Sequence, residues 1–555
     1  MSFLRSLIDE GVAEIRDGTL SMRGTITALW VPESLHAAVG ARIDRLPPGA
    51  KQVLRWASIL GAAFWPRHVE ALARSESGSG DIDLPLSVLC ERQLVQPESD
   101  GRMRFVHAVV QDVTYDGMLE RDRRRLHARA AHFLAQHASD TSEADIALLA
   151  WHHERADERA AASRRYEQAS KLAAKAFASR EEIGYLESAC RLADPADDDR
   201  MRTLSERLGD VLQISGRFTE ATERFEQLRA TTPAPSIAAA RILRKLAKSW
   251  TSRQSFAEGN CAVEEARAML AAADATEPEE ARWREHFAIE LFAMWASYMQ
   301  ARLPELAALA TRLAPEMASH ATLGERGIYH RSVALLRLRQ QRYRPDDETA
   351  ALAAQAADEL AIGDPAEMCL AGFGRGFMQL WSHRIVEADA TLQQVLRDTT
   401  RVGDAERNML CLTYLAVTAR MLHDVDRAEA FARAAVAAAE RNGARHYVGV
   451  AHANLAWVAW RRHDDAATTA AIATARKLAV LPGYPFSWFY EMVELARALE
   501  RADLVAATTC VRAMASPEQQ LLRGDVQQAL ESAAANPTRE TMDALLKVAT
   551  QAGYA

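Results

Sequence analysis

Apolar and small residues recur at helical spacing along most of the chain, and the recurrence is that of two antiparallel helices joined by a short turn. The clearest copy carries Leu208, Gly209, Leu212, Gly216, Phe218, Ala221, Phe225 and Pro233. Small residues allow the two helices to approach closely, an aromatic ring fills the space beside them, and proline ends the second helix. The pattern therefore predicts a helical hairpin.

The same small-residue spacing returns further along the chain. A spacing of 12 residues separates Ala150 from Ala162, Gly376 from Ala388, and Ala416 from Ala428. The small residues Gly376, Ala416 and Ala456 stand 40 residues apart, and weaker copies centre on Ala247, Trp295 and Ala334. We expect about eight or nine hairpins of the tetratricopeptide type in residues 141–522, which stack into a superhelix because none buries its apolar face alone. An irregular helical bundle with accidental spacing is the other interpretation.

The pattern before residue 140 differs from the repeats. Residues 3–9 are expected to form a helix, and residues 12–26 alternate around Asp17-Gly18 as a β-hairpin does, which gives a first segment of residues 1–30. In residues 31–140 we expect a helix from Pro32 to Arg45, a break at Pro47-Pro48 and a second helix that ends near Gly61. Two further helices are expected over 66–74 and 84–93, with a flexible linker at 75–80 between them. Short strands at 94–95 and 103–106 would follow, and this order is typical of a winged-helix domain. Residues 523–555 are expected to form capping helices.

Composition agrees with a mainly α fold, a tetratricopeptide-like solenoid after a small winged-helix-like domain with a minor β-hairpin. Charged residues make up 26% of the chain, with only 18 prolines and 26 glycines. The net charge of −8 gives no positive field for nucleic acid or anionic lipid. Six scattered cysteines, the lack of a long apolar run and the lack of a signal peptide predict a cytoplasmic protein without a membrane span.

Residue types that carry chemistry form no recognisable catalytic or metal site. His127, His132 and His137 are spaced by five, which turns each side chain about 140° from the last, and there is no H-E-x-x-H. We find no nucleophile with a neighbouring base and expect no cofactor, no metal and no enzyme activity. Five arginines lie in residues 121–129, but the candidate DNA-recognition helix carries Asp81, Asp83 and Glu91. Nucleic acid is therefore not the expected partner.

Aromatic residues and arginines occupy the positions of the first helices that face the inner groove of such a superhelix. The candidate groove residues are Phe292, Met299, Arg331, Arg339, Phe373, Phe377, Trp381, Arg420, Trp457, Trp460 and Arg461. Aromatic residues and arginine are enriched at binding hot spots, so we expect a protein or peptide partner with apolar anchors and acidic flanks, or a small-molecule signal. A tightly wound superhelix that packs these rings internally is the other interpretation.

Several strings in the first 127 residues are similar to those of one protein family. They are Val31-Pro32-Glu33-Ser34-Leu35, Ala41-Arg42-Ile43-Asp44-Arg45-Leu46-Pro47, Ala57-Ser58-Ile59-Leu60-Gly61, Phe105-Val106-His107-Ala108, Tyr115 and Arg123-Arg124-Arg125-Leu126-His127. The closing string Pro485-Phe486-Ser487-Trp488-Phe489-Tyr490-Glu491-Met492 belongs with them. Together they resemble the region after the nucleotide-binding domain in bacterial signal-transducing ATPases of the STAND class, notably those fused to class III adenylate cyclase domains.

The resemblance implies a sensor module that controls an attached ATPase or cyclase. In that family a P-loop domain lies upstream, whereas residues 1–30 look like the lid helix and hairpin after it, and no G-x-x-x-x-G-K-[ST] occurs. We therefore expect either a truncated relative or a P-loop ATPase or cyclase partner on another polypeptide, and no ATP binding by this chain. The alternatives are a STAND-type transcription regulator, or an ATPase-family protein whose nucleotide domain is lost or encoded separately.

Overall fold

The structure is a computed structural model, and it describes residues 13–16, 19–22, 33–137, 142–274, 276–478 and 484–555. Contacts divide the chain into two units. The N-terminal unit comprises Met1–Leu172 and Glu187–Asp197, and the repeat unit comprises Ala173–Leu186 and Asp198–Ala555. The described residues form 27 helices and five short strands, so the protein is mainly α-helical, as the sequence predicts.

The N-terminal unit begins with the predicted β-hairpin. Strand β1 (Ala13–Arg16) pairs antiparallel with β2 (Thr19–Met22), with Ala13 opposite Met22. The turn residues 17–18 and the helix expected at 3–9 lie outside the described residues. The helices that follow are α1 (Glu33–Asp44), α2 (Pro48–Leu60), α3 (Pro66–Ser77), α4 (Asp83–Glu91), α5 (Ala108–Asp116), α6 (Glu120–His137) and α7 (Glu143–Arg155).

A second, three-stranded sheet lies among these helices. Its strands are β3 (Ala63–Phe64), β4 (Val95–Pro97) and β5 (Met103–Phe105), in the order β3-β5-β4 with antiparallel pairing. The sequence pattern indicates β4 and β5 but misses β3, because two residues are too few to show alternation. The rings of Phe64 and Phe105 meet edge to face at 5.7 Å, which joins the sheet to the core built on α2.

Prolines and a glycine set the ends of the helices that surround this sheet. Pro48 and Pro66 occupy the first helical positions of α2 and α3, where no backbone N–H is needed. Helix α3 runs three residues beyond the expected 66–74, to Ser77. Its C-cap is Gly78, whose φ of +75° is left-handed. The expected linker at 75–80 is therefore partly helical, because the helix ends before Gly78 and not before Ser75.

Helices α8 (Arg159–Lys175) and α9 (Ser179–Leu192) each have residues in both units. The repeat unit continues with α10 (Asp198–Ile214), α11 (Phe218–Thr231), α12 (Ile237–Ser252), α13 (Phe256–Ala272), α14 (Glu279–Met299), α15 (Leu303–His320), α16 (Leu323–Gln340), α17 (Asp347–Leu360) and α18 (Pro365–Trp381). It ends with α19 (Ile385–Val402), α20 (Ala405–Met421), α21 (Val425–Arg441), α22 (Arg445–Arg461), α23 (Asp465–Leu478), α24 (Trp488–Glu500), α25 (Leu504–Ala515), α26 (Gly524–Ala535) and α27 (Arg539–Gln551).

Successive helices from α10 onward pack as antiparallel hairpins, and the predicted small residues lie at the closest approaches. A Cβ built on Gly209 would stand 2.5 Å from the ring of Phe225, and one on Gly376 would stand 2.9 Å from Leu392. Ala416 is fully buried. These contacts confirm the tetratricopeptide-like hairpin, because no larger residue fits where the two helices touch.

The 40-residue period also appears in the turns between paired helices. His383, His423 and His463 each have φ of +59° and each follow the last residue of a first helix by two positions. A left-handed residue at this point reverses the chain and starts the second helix. The turns therefore repeat with the same period as Gly376, Ala416 and Ala456.

Long-range contacts show that the repeat unit is wound tightly on itself. The Gln254 amide bonds to Nδ1 of His446, 192 residues away, and the guanidinium of Arg401 lies 5.7 Å from the centre of the Phe177 ring. Near the other end, Arg342 donates from Nε to the Gln519 carbonyl at 2.7 Å, and its own carbonyl accepts from Leu521 N at 2.8 Å. The inner faces of distant hairpins are thereby brought together.

None of the helices in the described residues is both long and apolar enough to cross a bilayer.

Candidate ligand-binding cavity

The first helices of five consecutive hairpins, α14, α16, α18, α20 and α22, form most of the wall of a cavity of about 130 Å³ inside the repeat unit, and the second helix α17 contributes one further side. Residues 484–489, which lead into α24, cover another side of it. Successive first helices face the inner side of a hairpin stack, so the winding of the superhelix assembles the walls from residues far apart in sequence. The cavity is therefore a product of the repeat architecture.

Aromatic rings form a large part of the wall. Phe373 and Phe377 on α18 stack at 5.8 Å, and Tyr414 on α20 meets Phe377 edge to face at 4.9 Å. Trp295 and Phe486 contribute further rings from α14 and from the covering segment. Offset and edge-to-face pairs of this kind hold rings in fixed orientations, which gives the cavity a defined, apolar shape.

Arg331 on α16 lines this apolar cavity without a partner. Within the part of the chain that the structure describes, no hydrogen bond or ion pair of Arg331 is found, and its Nε is buried. Burial, followed by the nearby Arg407 charge, lowers the pKa of Arg331 to about 10. The guanidinium therefore remains charged at neutral pH, in surroundings that disfavour a lone charge.

Arg339, two turns further along α16, is held by tyrosines. Its Nη1 donates to the Tyr343 hydroxyl at 3.2 Å, and the Tyr298 and Tyr343 hydroxyls are 3.2 Å apart. The guanidinium also lies 5.7 Å from the centre of the Tyr298 ring. Hydrogen bonds and cation–π contact fix its position, so a second positive charge stands in the cavity wall.

Two further buried polar atoms belong to residues of the wall and have no partner among the described residues. They are the Tyr484 hydroxyl and Nε2 of His446. Burial raises the pKa of Tyr484 well above its usual value of 10.0, so the hydroxyl keeps its proton and can donate. Burial lowers the pKa of His446 to about 4, so the ring is neutral at pH 7.

The structure brings five of the eleven sequence-predicted groove residues to the cavity wall. These five are Met299, Arg331, Arg339, Phe373 and Phe377. Phe292, Trp460 and Arg461 are partly exposed and do not line this cavity. Trp381 and Trp457 are 1% and 0% exposed and pack between helices. The binding role proposed for these residues stays a prediction.

Arg420 differs most from the groove position that the sequence predicts. It is fully enclosed, and it donates from Nη1 to the Phe489 carbonyl at 2.6 Å and from Nη2 to the Tyr554 carbonyl at 2.5 Å. The guanidinium lies 5.6 Å and 5.1 Å from the ring centres of Trp457 and Trp488. In this structure Arg420 joins α20 to the last helices rather than facing an open groove.

The sequence pattern does not identify Tyr484, His446 or Tyr298 as residues of the cavity. They come from residues 484–489, α22 and α14, and only the winding of the superhelix brings them together. For Tyr298 the available signal is an aromatic residue next to the inward-facing Met299 of a first helix. No local pattern marks Tyr484, because it lies in a connection between hairpins.

The sequence pattern also does not reveal a buried histidine pair in the N-terminal unit. His127 Nδ1 lies 2.9 Å from His152 Nδ1, and the Tyr115 hydroxyl lies 2.9 Å from His127 Nε2. His132, in contrast, is exposed and contacts Gln136, so His127 and His132 do face different ways on α6. Within the described residues, no three His, Cys, Asp or Glu side chains are placed to hold a metal ion.

The arginines of residues 121–129 contact carboxylates of the same unit. Arg124 pairs with Asp157 at 3.1 Å and with Glu120, and Arg125 pairs with Glu76 at 3.1 Å. Their charge is therefore partly neutralised inside the N-terminal unit.

Comparison with solved structures finds helical repeat proteins of low sequence identity. A STAND protein with a tetratricopeptide repeat sensor from Pyrococcus horikoshii is 12% identical, with a TM-score of 0.39 over 88% of this chain and 68% of that chain. A Rap protein complexed with competence and sporulation factor is 10% identical, with a TM-score of 0.41 over 70% and 99%. The APC/C hetero-tetramer Cut9–Hcn1 is 12% identical, with a TM-score of 0.25 over 79% and 97%.

No family model and no curated protein matches the chain. The tetratricopeptide-like fold therefore rests on the hairpin contacts and the repeating turns described above.

Proposed function

We propose that this chain is a non-enzymatic sensor module of the STAND type, whose repeat superhelix takes up a signal molecule in the cavity beside Arg331. The observation that carries the proposal is an aromatic cavity whose wall contains an arginine without a hydrogen-bond or ion-pair partner among the described residues. Arg331 is partly exposed, but its Nε is a buried donor without a partner among the described residues, which costs stability, so its position is better explained by binding than by packing. A concave, mostly apolar site with a few polar groups is the usual form of a small-molecule site.

The size of the cavity favours a small ligand over a partner helix. An engineered cavity of roughly 150 Å³ in another protein holds one benzene ring, and this cavity is about 130 Å³. A helix laid in the groove would need Trp381 and Trp457, but both are buried by the protein itself. A peptide could therefore present only one side chain or its end.

The N-terminal unit supplies the connection to an output partner in this proposal. The order α2, β3, α3, α4, β4, β5, with β3 paired to β5, supports a winged-helix connector. Helix α4 begins at Asp83 and ends at Glu91, which disfavours approach to a phosphate backbone. A protein partner, such as a separate P-loop ATPase or a cyclase, would receive the signal here, and the chain itself would neither bind nor hydrolyse ATP.

A cavity-filling variant tests the proposal while the ligand is still unidentified. Gly374 lies within α18 and lines the cavity, and a Cβ built on it meets no atom within 4 Å. Gly374→Leu should fill the cavity, while the higher helix propensity of leucine keeps α18 stable. Gly184 on α9, where a Cβ also meets nothing, provides the matched control Gly184→Leu.

The measurement is the melting temperature of the full chain with a panel of small acids, bases and neutral compounds. We expect at least one class to raise the melting temperature of the wild type and of Gly184→Leu, but not that of Gly374→Leu, because ligand binding stabilises only the folded state. Equal responses of the wild type and Gly374→Leu would place binding elsewhere and contradict the proposal.

A further inference from the structure

This inference rests on the proposed function and concerns the class of ligand. We propose that the cavity selects a carboxylate carried on an apolar group of about the size of one aromatic ring, with Arg331 as the counter-charge of the carboxylate. The size of the apolar group follows from the volume of the cavity. Three observations support the carboxylate, namely that Arg331 has no hydrogen-bond or ion-pair partner among the described residues, that no acidic group of those residues lies in the wall, and that the donors near Arg331 are side chains.

The first observation is that Arg331 lacks the partners that comparable arginines of the repeat unit have. Arg407 pairs with Asp404, Arg244 pairs with Glu285 at 2.6 Å, and Arg420 donates to two carbonyls. Arg331 makes no such contact within the described residues. Its guanidinium presents parallel N–H groups that match the two oxygens of a carboxylate, so a bound carboxylate would supply the missing partner.

The second observation is the sign of the charge around the cavity. Arg331 and Arg339 belong to the wall, whereas no aspartate or glutamate of the described residues does. Glu406 acts on Arg331 only at long range, and it lines a smaller neighbouring cavity of about 30 Å³. The main cavity therefore favours an anion and disfavours an ammonium group.

The third observation separates a carboxylate from a phosphate. Phosphate groups are commonly bound by the free N–H groups at a helix N-terminus. Arg331 and Arg339 lie inside α16, where the backbone N–H groups are already used, and the first-turn residues His446 and Tyr447 of α22 add no positive charge to the wall. The charged donor beside the cavity is therefore the Arg331 guanidinium, since Arg339 is held by Tyr343, and the Tyr484 hydroxyl and Nε2 of His446 are neutral groups without a partner among the described residues. One guanidinium and neutral donors suit a carboxylate monoanion on an aromatic or branched apolar body.

Calorimetric titration of the full chain with phenylacetate and with phenylacetamide tests the inference. The two probes share the ring and differ in the charge. We expect wild type to bind phenylacetate at least tenfold more tightly than phenylacetamide. Arg331→Gln should weaken phenylacetate binding at least tenfold and leave phenylacetamide binding unchanged.

Arg337→Gln is the matched control, because Arg337 lies on the same helix, pairs with Glu348 at 2.8 Å and does not line the cavity. It should leave the affinity for phenylacetate unchanged. The melting temperature of Arg331→Gln without ligand should not fall, since Arg331 makes no hydrogen bond or ion pair with the described residues that the substitution would break. A large fall would show a structural role and overturn the inference.

Two peptide probes, acetyl-Ala-Phe with a free and with an amidated C-terminus, test whether the bound carboxylate belongs to a small acid or to the C-terminus of a peptide. Binding of the free-carboxyl peptide that depends on Arg331, without binding of phenylacetate, supports the same carboxylate chemistry with a peptide as its source. Equal binding of phenylacetate and phenylacetamide that Arg331→Gln leaves unchanged would overturn the inference. The sensor proposal would then still stand if Gly374→Leu abolished the binding of both phenylacetate and phenylacetamide. If no probe binds, the inference also fails, and the wider panel decides the sensor proposal separately.

Discussion

Arg331 and Arg420 both occupy inward-facing positions in the sequence pattern, but of the two only Arg420 has hydrogen-bond partners among the described residues of the folded protein. The carbonyls of Phe489 and Tyr554 and two tryptophan rings enclose Arg420. Arg331 has none of these contacts and lines the cavity. The same residue type therefore stabilises the fold at one position and is available for a ligand at the other.

Substitution of Arg420 should destabilise the repeat unit. Arg420→Ala removes two charge-assisted hydrogen bonds and leaves two buried carbonyls unpaired, so we expect the free energy of unfolding to fall by about 3 kcal/mol or more. Arg420→Lys should recover only part of this loss, because one ammonium cannot reach both carbonyls as a guanidinium does. Denaturant unfolding of the full chain measures the change. Arg461→Ala, at a partly exposed arginine on the same Trp457 ring, is the control and should have little effect.

The buried histidine pair should make the N-terminal unit sensitive to acid. Burial is the main reason that the pKa values of His127 and His152 lie well below 6.5, and the Arg155 charge lowers that of His127 further. The unfolded chain takes up protons near pH 6.5 while the folded chain does not. Stability is therefore full above about pH 6.5 and is lost as the pH falls, by up to about 1.4 kcal/mol per pH unit for each histidine.

The variant His152→Leu separates this effect from general acid denaturation. Melting temperatures at pH 7.5, 6.5 and 5.5 should fall more steeply for the wild type than for His152→Leu. His132→Leu should keep the wild-type slope, since His132 is exposed. Parallel slopes for all three proteins would show that the histidine pair takes up protons equally in the folded and unfolded states, which would contradict this prediction.

Single residues show where prediction from the sequence stops. The spacing of His127, His132 and His137 correctly separates the faces of His127 and His132, but His152 reaches His127 from another helix, 25 residues away. The sequence likewise places Arg420 and Arg331 on inward faces. It does not tell them apart, because their surroundings come from residues up to 134 positions distant.

At the scale of the hairpin, a few small residues fix the distance between paired helices. Gly209 faces Phe225, and Gly376 faces Leu392, at distances that leave no room for a methyl group. Glycine within a helix is otherwise unfavourable, by roughly 1 kcal/mol relative to alanine. Its presence inside α10 and α18 is therefore explained by packing.

Two glycine substitutions should have opposite effects for this reason. Gly209→Ala forces the Phe225 ring to move and should lower the free energy of unfolding by about 1–3 kcal/mol, despite its better helix propensity. Gly184→Ala, where the new methyl group meets nothing within 4 Å, should raise stability by up to about 1 kcal/mol. Melting temperatures of the two variants measure this difference. An increase for both would mean that the hairpin is not closely packed at Gly209.

Elements with strong local signals could be predicted from the sequence, and weak ones could not. The hairpins from α10 onward follow from the 12-residue spacing, and β1 with β2 follows from alternation around Asp17-Gly18. Strand β3 has two residues and is defined only by its pairing with β5. The end of α3 at Ser77 is set by the left-handed backbone conformation of Gly78. The serines before Gly78 suggest an earlier end of the helix in the sequence.

At the scale of the whole repeat unit, winding creates features that no single repeat contains. The Gln254–His446 contact spans 192 residues, and residues 484–489 cover the cavity formed by five first helices. The superhelix itself follows from the repeats, because each hairpin needs a neighbour. The pitch depends on small rotations between hairpins, so the sequence pattern places aromatic and arginine residues inward without showing which of them meet.

Equilibrium dialysis of the full chain against a cell extract tests most directly the claim that this cavity takes up a signal molecule. Retained small molecules are identified by mass spectrometry for the wild type, Gly374→Leu and Gly184→Leu. We predict that the wild type and Gly184→Leu concentrate the same compound and that Gly374→Leu does not. Retention of the same compounds by all three proteins, or by none, would contradict the claim.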